Sequence, residues 1–185
     1  MNTTNVINKK SLIAKAVTAV AAIAAAVLLP QLFHAIGAVS GTGAALGSAL
    51  LPMHIPVLLA GYICGSAAGL AAGVLSPVVS FCITGMPAAA LLPFMIIELG
   101  VYGLASGLLS RTKLHAFVQL LLTQLAGRAA RALAVLAAIY LFGNTQLAAD
   151  SAYAFITAGL YGILLQWALI PLLGERVKGF VKRHE

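Results

Sequence analysis

The chain has 185 residues, of which 62% are hydrophobic and only 8% are charged, and its mean hydropathy is +1.04. Water-soluble domains do not reach such values, so an integral membrane protein is expected, with room for about six spans of roughly 20 residues and short connections. No separate soluble domain fits, and no nucleotide-binding G-x-x-x-x-G-K-S/T string occurs.

Lys9 and Lys10 precede a first apolar span over residues 12–29, which Pro30 is expected to end. Residues 31–48 carry His34, Gly37, Ser40, Gly41, Thr42, Gly43 and Gly47, which is turn chemistry and predicts a long outer first loop. A second span is expected over 52–64, turning at Gly65-Ser66, and a third over 67–83 with a kink at Pro77. After the turn Thr84-Gly85-Met86-Pro87, the fourth, fifth and sixth spans fall at 91–109, 116–142 and 152–173. The fold class is therefore all-α: one polytopic domain with six transmembrane helices over residues 1–185.

The net charge of +7 is first of all a topology signal. With six spans both termini share one side, and that side collects Lys9, Lys10, Lys15, Arg111, Lys113, Arg176, Lys178, Lys182 and Arg183. By the positive-inside rule both termini are expected to be cytoplasmic. Cations spread over three short segments do not make a nucleic-acid surface. A cleaved leader would also begin with Lys9-Lys10 and an Ala-rich run. The apolar run is long for one, and its removal would leave five spans and put the C-terminal cations outside.

Two basic residues remain, Arg128 and Arg131, inside the fifth span. At a rise of about 1.5 Å per residue, Arg128 lies roughly 18 Å from the inner end of its helix. A charge at that depth costs at least about 2.5 kcal/mol and faces a protein interior or watery cavity. Other polar residues fall into stripes of helical spacing: Glu98, Tyr102 and Ser106; Gln124, Arg128 and Arg131; Tyr153, Thr157 and Tyr161. Three stripes on successive helices point to one shared interior site. Glu98 lies roughly 10 Å and Arg131 roughly 17 Å below the outer surface, a gap an Arg side chain can bridge. On one reading Glu98 and Arg131 form a structural ion pair while Arg128 caps carbonyls or leans to the cytoplasmic interface. On the other, the surplus guanidinium holds the carboxylate or phosphate of a ligand.

The string Leu51-Pro52-Met53-His54-Ile55-Pro56 places a histidine between two prolines at the outer mouth of the second span. His54, like His34 in the preceding Gly-rich segment, either binds ligand or ties down local structure. His34 and His54 are the outer histidines, His115 and His184 lie on the cytoplasmic side, and Cys64 and Cys82 have no C-x-x-C spacing, so no metal site is expected. No cofactor is expected either.

With six spans, an Ala-rich first helix, L-P-M-H-I-P-V-L-L-A-G-x-x-x-G over 51–65 and E-L-x-x-Y-G-L-x-x-G-L-L over 98–109, the chain resembles the substrate-binding S components of energy-coupling factor (ECF) transporters. The pair Gly127-Arg128 fits as well. The resemblance implies a high-affinity binding subunit in a prokaryotic cell membrane. It would capture a water-soluble vitamin or precursor at the outer face and associate with a membrane coupling subunit and two cytoplasmic ATPases that power uptake. It also implies that small residues spaced A-x-x-x-A on the first helix meet the coupling subunit. Ala21 with Ala25, Ala22 with Ala26, and Ala14 with Thr18 and Ala22 all offer that register, and close helix approach in lipid explains the use of small residues.

The candidate substrate-binding residues are thus His34, His54, Glu98, Tyr102, Gln124, Arg128, Arg131, Tyr153, Thr157 and Tyr161. The arginines favour an acidic group, the tyrosines could stack on a ring or hydrogen-bond to it, and the Gly-rich segment 36–47 could close over the site. Catalysis is not expected, because Glu98 is the single intramembrane carboxylate and Asp150 falls in an outer loop. A self-sufficient carrier or channel for an organic anion is the alternative. It would call for inverted repeats or matching broken helices, and no repeat is evident.

Overall fold

The computed structural model describes residues 3–43, 45–144 and 159–184, and their regular structure is all helical. Among the described residues the helices are, in order, α1 (Thr3–Ser40), α2 (Ala45–Leu50), α3 (His54–Cys64), α4 (Ser66–Thr84), α5 (Leu92–Leu109), α6 (Ala116–Tyr140) and α7 (Leu160–His184). Among the described residues five stretches are long and apolar enough to cross a membrane: Ala16–Ser40, Gly47–Cys64, Ser66–Thr84, Leu92–Leu109 and Ala116–Tyr140. The apolar part of α7, Leu160–Gly174, is shorter. Large apolar side chains such as Val20, Leu28, Leu125, Leu133 and Leu164 point outward. Such a belt suits lipid and would be unstable in water.

Two differences from the sequence reading lie near the first connection. Pro30 does not end α1, which continues for ten residues to Ser40. A proline removes one backbone donor and crowds the preceding turn, but long apolar helices in membranes tolerate it because neighbouring groups satisfy the freed carbonyl. The segment expected as a loose loop over 31–48 is consequently mostly helical. Among the described residues it turns at Gly41–Gly43, where the Gly43 amide donates to the Gly37 carbonyl at 3.0 Å and both Gly41 and Gly43 take positive φ. Beyond α2 the chain breaks sharply at Leu51, whose φ of 49° is left-handed, before Pro52 and Met53 lead into α3. A non-glycine residue held there costs about 1–2 kcal/mol, so the break is imposed by its surroundings.

The later helices lie close to the expected spans. α4 contains 67–83 and also runs through its proline, Pro77. Gly85 stops it, taking φ 71° and donating to the Phe81 carbonyl at 2.8 Å, the usual left-handed C-terminal stop. α5 carries Pro93 in its first turn, where the missing N–H costs nothing. α6 begins behind His115, whose Nδ1 accepts from the Phe117 amide. Of the expected sixth span, residues 152–158 lie outside the described residues, and α7 carries the helix on to His184.

Helices α3, α4 and α5 meet backbone to backbone. A Cβ at Gly69 or Gly61 would collide with the Gly103 carbonyl, one at Gly73 with the Leu99 carbonyl, and one at Gly107 with the Ser66 amide. Lipid gives helices little hydrophobic reason to associate, so contact of this closeness supplies the dispersion energy instead. The Ser106 hydroxyl adds a hydrogen bond to the Leu58 carbonyl at 2.8 Å. Around this seam a core of Val57, Leu58, Leu99, Tyr102, Leu120 and Ile170 is filled from α1 by Ala26.

Candidate ligand-binding site

A cavity of about 240 Å³ opens at the end of the bundle where α1 and α4 finish and α3 and α5 begin. Its floor is α6, which supplies Arg128 and Arg131 one helical turn apart. The broken segment between α2 and α3 contributes Leu51, Pro52, Met53 and His54, and α1 contributes Pro30, Gln31 and His34. The continuation of α1 past Pro30 brings Gln31 and His34 to the wall. Without it both would belong to a loop.

Glu98 organises the floor. It is fully buried, and its carboxylate meets three partners: Arg131 Nη1 at Oε2, Arg128 Nη1 at Oε1 across 3.1 Å, and His54 Nε2, which faces Oε1 at 3.6 Å. An ionised carboxylate in such a place survives only when paired and hydrogen-bonded. Among the described residues both guanidiniums thus answer one carboxylate. Arg131 makes the pairing expected of it. Arg128 turns to the same carboxylate and to the cavity, not to the cytoplasmic interface, and its Nη2 lies beside Gly159, where a Cβ would come within 2.6 Å.

Tyr102 lies beneath this cluster with no exposure, its ring edge-on to His54 at 5.1 Å between centroids. Gly127 leaves the space its ring occupies, since a Cβ there would come within 2.8 Å of it. Tyr102 therefore supports the floor from below and is not part of the cavity lining. Gln124 is also elsewhere. Its side-chain amide donates to Gln166 at 2.9 Å and its carbonyl accepts from the Trp167 indole at 2.7 Å, tying α6 to α7. Tyr161 is 71% exposed on α7 and does not join the cavity. Tyr153 and Thr157 lie outside the described residues.

His34 lines the cavity with its ring against Gly47, where a Cβ would come within 3.3 Å. The remaining wall is Ser48, Ser80, Met86, Pro87, Leu91 and Met95. Gln31, Gln166 and Trp167 escape a sequence reading for separate reasons. Gln31 follows a proline taken as a helix end, while Gln166 is a lone amide in an apolar run with no polar residue at i±4. The available signal was the pair Gln124 and Gln166, side-chain amides in successive spans.

The small-residue registers of α1 divide between two faces. Ala26 is fully buried in the core and Ala22 packs against it. Ala21 is exposed and Ala25 half-buried. Thr18 is half-buried, and Ala14 is helical with its side chain outside the description.

The fold and site together define a polytopic membrane protein with a small, cation-floored cavity at one end of its bundle. A family model described as "ECF transporter, substrate-specific component" matches residues 10–174. The chain belongs to that family and is a substrate-binding subunit of an ECF transporter, a transport component and not a member of an enzyme family. Comparison with curated proteins and with solved structures finds no match.

Proposed function

We propose that this S component captures a water-soluble, vitamin-like molecule bearing an acidic group, and that the cavity over Arg128 and Arg131 is where it is held. The observation that supports this reading is that two buried arginines, Arg128 and Arg131, line the cavity at membrane depth. Buried charge of that kind is retained where it meets a charged ligand. At about 240 Å³ the cavity is below the roughly 300–1,000 Å³ of drug-sized sites and suits a small solute. In this reading the cavity end faces outward and both termini are cytoplasmic, in keeping with Arg111 and Lys113, exposed in the α5–α6 connection at the opposite end. Uptake is then powered by a membrane coupling subunit and two ATPases, with Ala21 and Ala25 on α1 as the register left available for helix contact.

The test is native mass spectrometry of the purified protein for a retained small molecule, followed by a thermal-shift screen of water-soluble vitamins. Retention of a carboxylate- or phosphate-bearing molecule, or a shift with one, is the expected result. A neutral ligand would keep the binding role and remove the role given to the arginines. Substrate accumulation in vesicles without ATP or partner subunits would replace this reading with a self-sufficient carrier.

A further inference from the structure

We infer that a second, much smaller pocket, at the end of the bundle opposite the ligand cavity, binds a single water molecule that donates to the side-chain carbonyl of Gln119 and joins α6 to α7. Such a site is independent of the solute the protein carries.

The pocket lies between α3, α5, α6 and α7. Tyr62 comes from α3, Ser106 from α5, Ala116, Gln119 and Thr123 from α6, and Pro171 from α7. Its volume is about 10 Å³, the space of roughly one water-sized sphere. A vitamin-sized solute does not fit there, and one small polar molecule does.

Gln119 decides what that molecule must offer. The residue is 9% exposed, and its Nε2 donates to two carbonyls of the α5–α6 connection, Leu114 at 2.8 Å and Thr112 at 3.3 Å. Two carbonyl partners fix the orientation of the amide, because the flipped form would set oxygen against oxygen. Its Oε1 is therefore turned away from the connection, buried and without a hydrogen-bond partner. A buried amide oxygen left without a donor is costly.

The hydroxyls beside it give their protons elsewhere. Thr123 donates to the backbone carbonyl of Gln119 at 2.8 Å, and Ser106 donates to the Leu58 carbonyl at 2.8 Å. Each keeps an oxygen that can only accept further. Pro171 adds to the demand, since a proline inside α7 has no N–H for the Trp167 carbonyl one turn back. The pocket thus offers acceptors and calls for donors, and water brings two protons in the volume available. Ordered water is one of the means by which a proline-interrupted helix in a membrane satisfies its freed carbonyl. A cation also seeks oxygens. The described lining residues, however, present hydroxyl, amide and apolar groups, and an ion buried without a counter-charge costs far more than a neutral molecule.

The test is a structure of the full-length protein at a resolution that shows ordered water, read together with thermal unfolding in detergent. A single peak is expected in the pocket, about 2.7–3.2 Å from Gln119 Oε1. Ala116 lines the pocket three positions before Gln119, on the same helix face. In Ala116→Ser the new hydroxyl makes the donation in place of water, so the peak should vanish while the melting temperature stays within about 1 °C of the unmodified protein. Were the pocket dry, the same hydroxyl would satisfy an orphaned acceptor and raise the melting temperature by at least about 2 °C. That rise, or the lack of a peak in the unmodified protein, overturns the inference. A peak ringed by oxygens at roughly 2.3–2.6 Å, the spacing around a bound calcium ion, overturns it as well and makes the pocket an ion site. If Ala116→Ser does not fold, the map of the unmodified protein decides by the same distances.

Discussion

Arg128 and Arg131 reach Glu98 through different oxygens, so removing one partner has different consequences from removing another. Glu98→Gln removes the buried carboxylate that both guanidiniums meet and is expected to destabilise the protein by about 3–5 kcal/mol, seen as loss of the monodisperse species in detergent. Arg128→Ala leaves the Glu98–Arg131 pair intact. The protein should stay folded and lose about 1.5–3 kcal/mol of ligand binding, the range for a hydrogen bond to a charged group. Titration of the variant with the retained ligand checks it, and loss of folding instead would make Arg128 a structural residue. The meeting of Glu98 with Arg131 was legible because helical spacing and depth place them at reach of each other. The role of Gln124 was not, since periodicity puts Gln124 on the stripe with Arg128 and cannot reveal that Gln166 and Trp167 claim it. Tyr161 fails in the same way: spacing defines a stripe, and only packing tells which way the stripe faces.

At the scale of elements, α4–α6 were readable almost to the residue because turn signals bracket them: Gly65-Ser66, Gly85 and the cationic connection after α5. α1 was not, because Pro30 and the glycines beyond it carry the local signature of a stop, while the apolar environment lets the helix run on. The helix seam carries a plain prediction. Gly73→Val should abolish recovery of folded protein, since its Cβ would meet the Leu99 carbonyl and backbone cannot yield. Ala71→Val on the exposed face of α4 should be recovered normally, and size-exclusion profiles compare the two. On α1, Ala26→Leu overpacks the core and should cost about 1–3 kcal/mol of stability. Ala21→Leu should leave thermal stability and ligand binding unchanged while lowering ATP-driven uptake by the assembled transporter. Equal damage to binding and uptake would remove Ala21 from the coupling face.

For the whole molecule, the placement of cations predicts an orientation that labelling can test. Thr112→Cys, in the exposed α5–α6 connection, should react with a membrane-impermeant maleimide only after cells are opened. Ala89→Cys, exposed beside the cavity mouth, should react in intact cells. The reverse pattern would invert the protein and place the cavity on the cytoplasmic side. Membrane character was legible in composition, and helix order in the run of apolar segments and turn signals along the chain. The cavity was not, because its wall depends on the break at Leu51 and the helical continuation past Pro30, neither of which has a local sequence signal strong enough to outweigh its neighbours.

The glycine contacts among α3, α4 and α5 also distribute stiffness. Where carbonyl meets Cα with no side chain between, there is no rotamer to turn and no methylene to slide, so these three helices move as one body. Any adjustment that admits a ligand must then be made by the elements around them, and α2, tethered by Gly41–Gly43 on one side and the left-handed Leu51 on the other, is the shortest lever available. Amide exchange should accordingly be slowest at the seam and fastest over 41–51, with ligand slowing the second and leaving the first untouched.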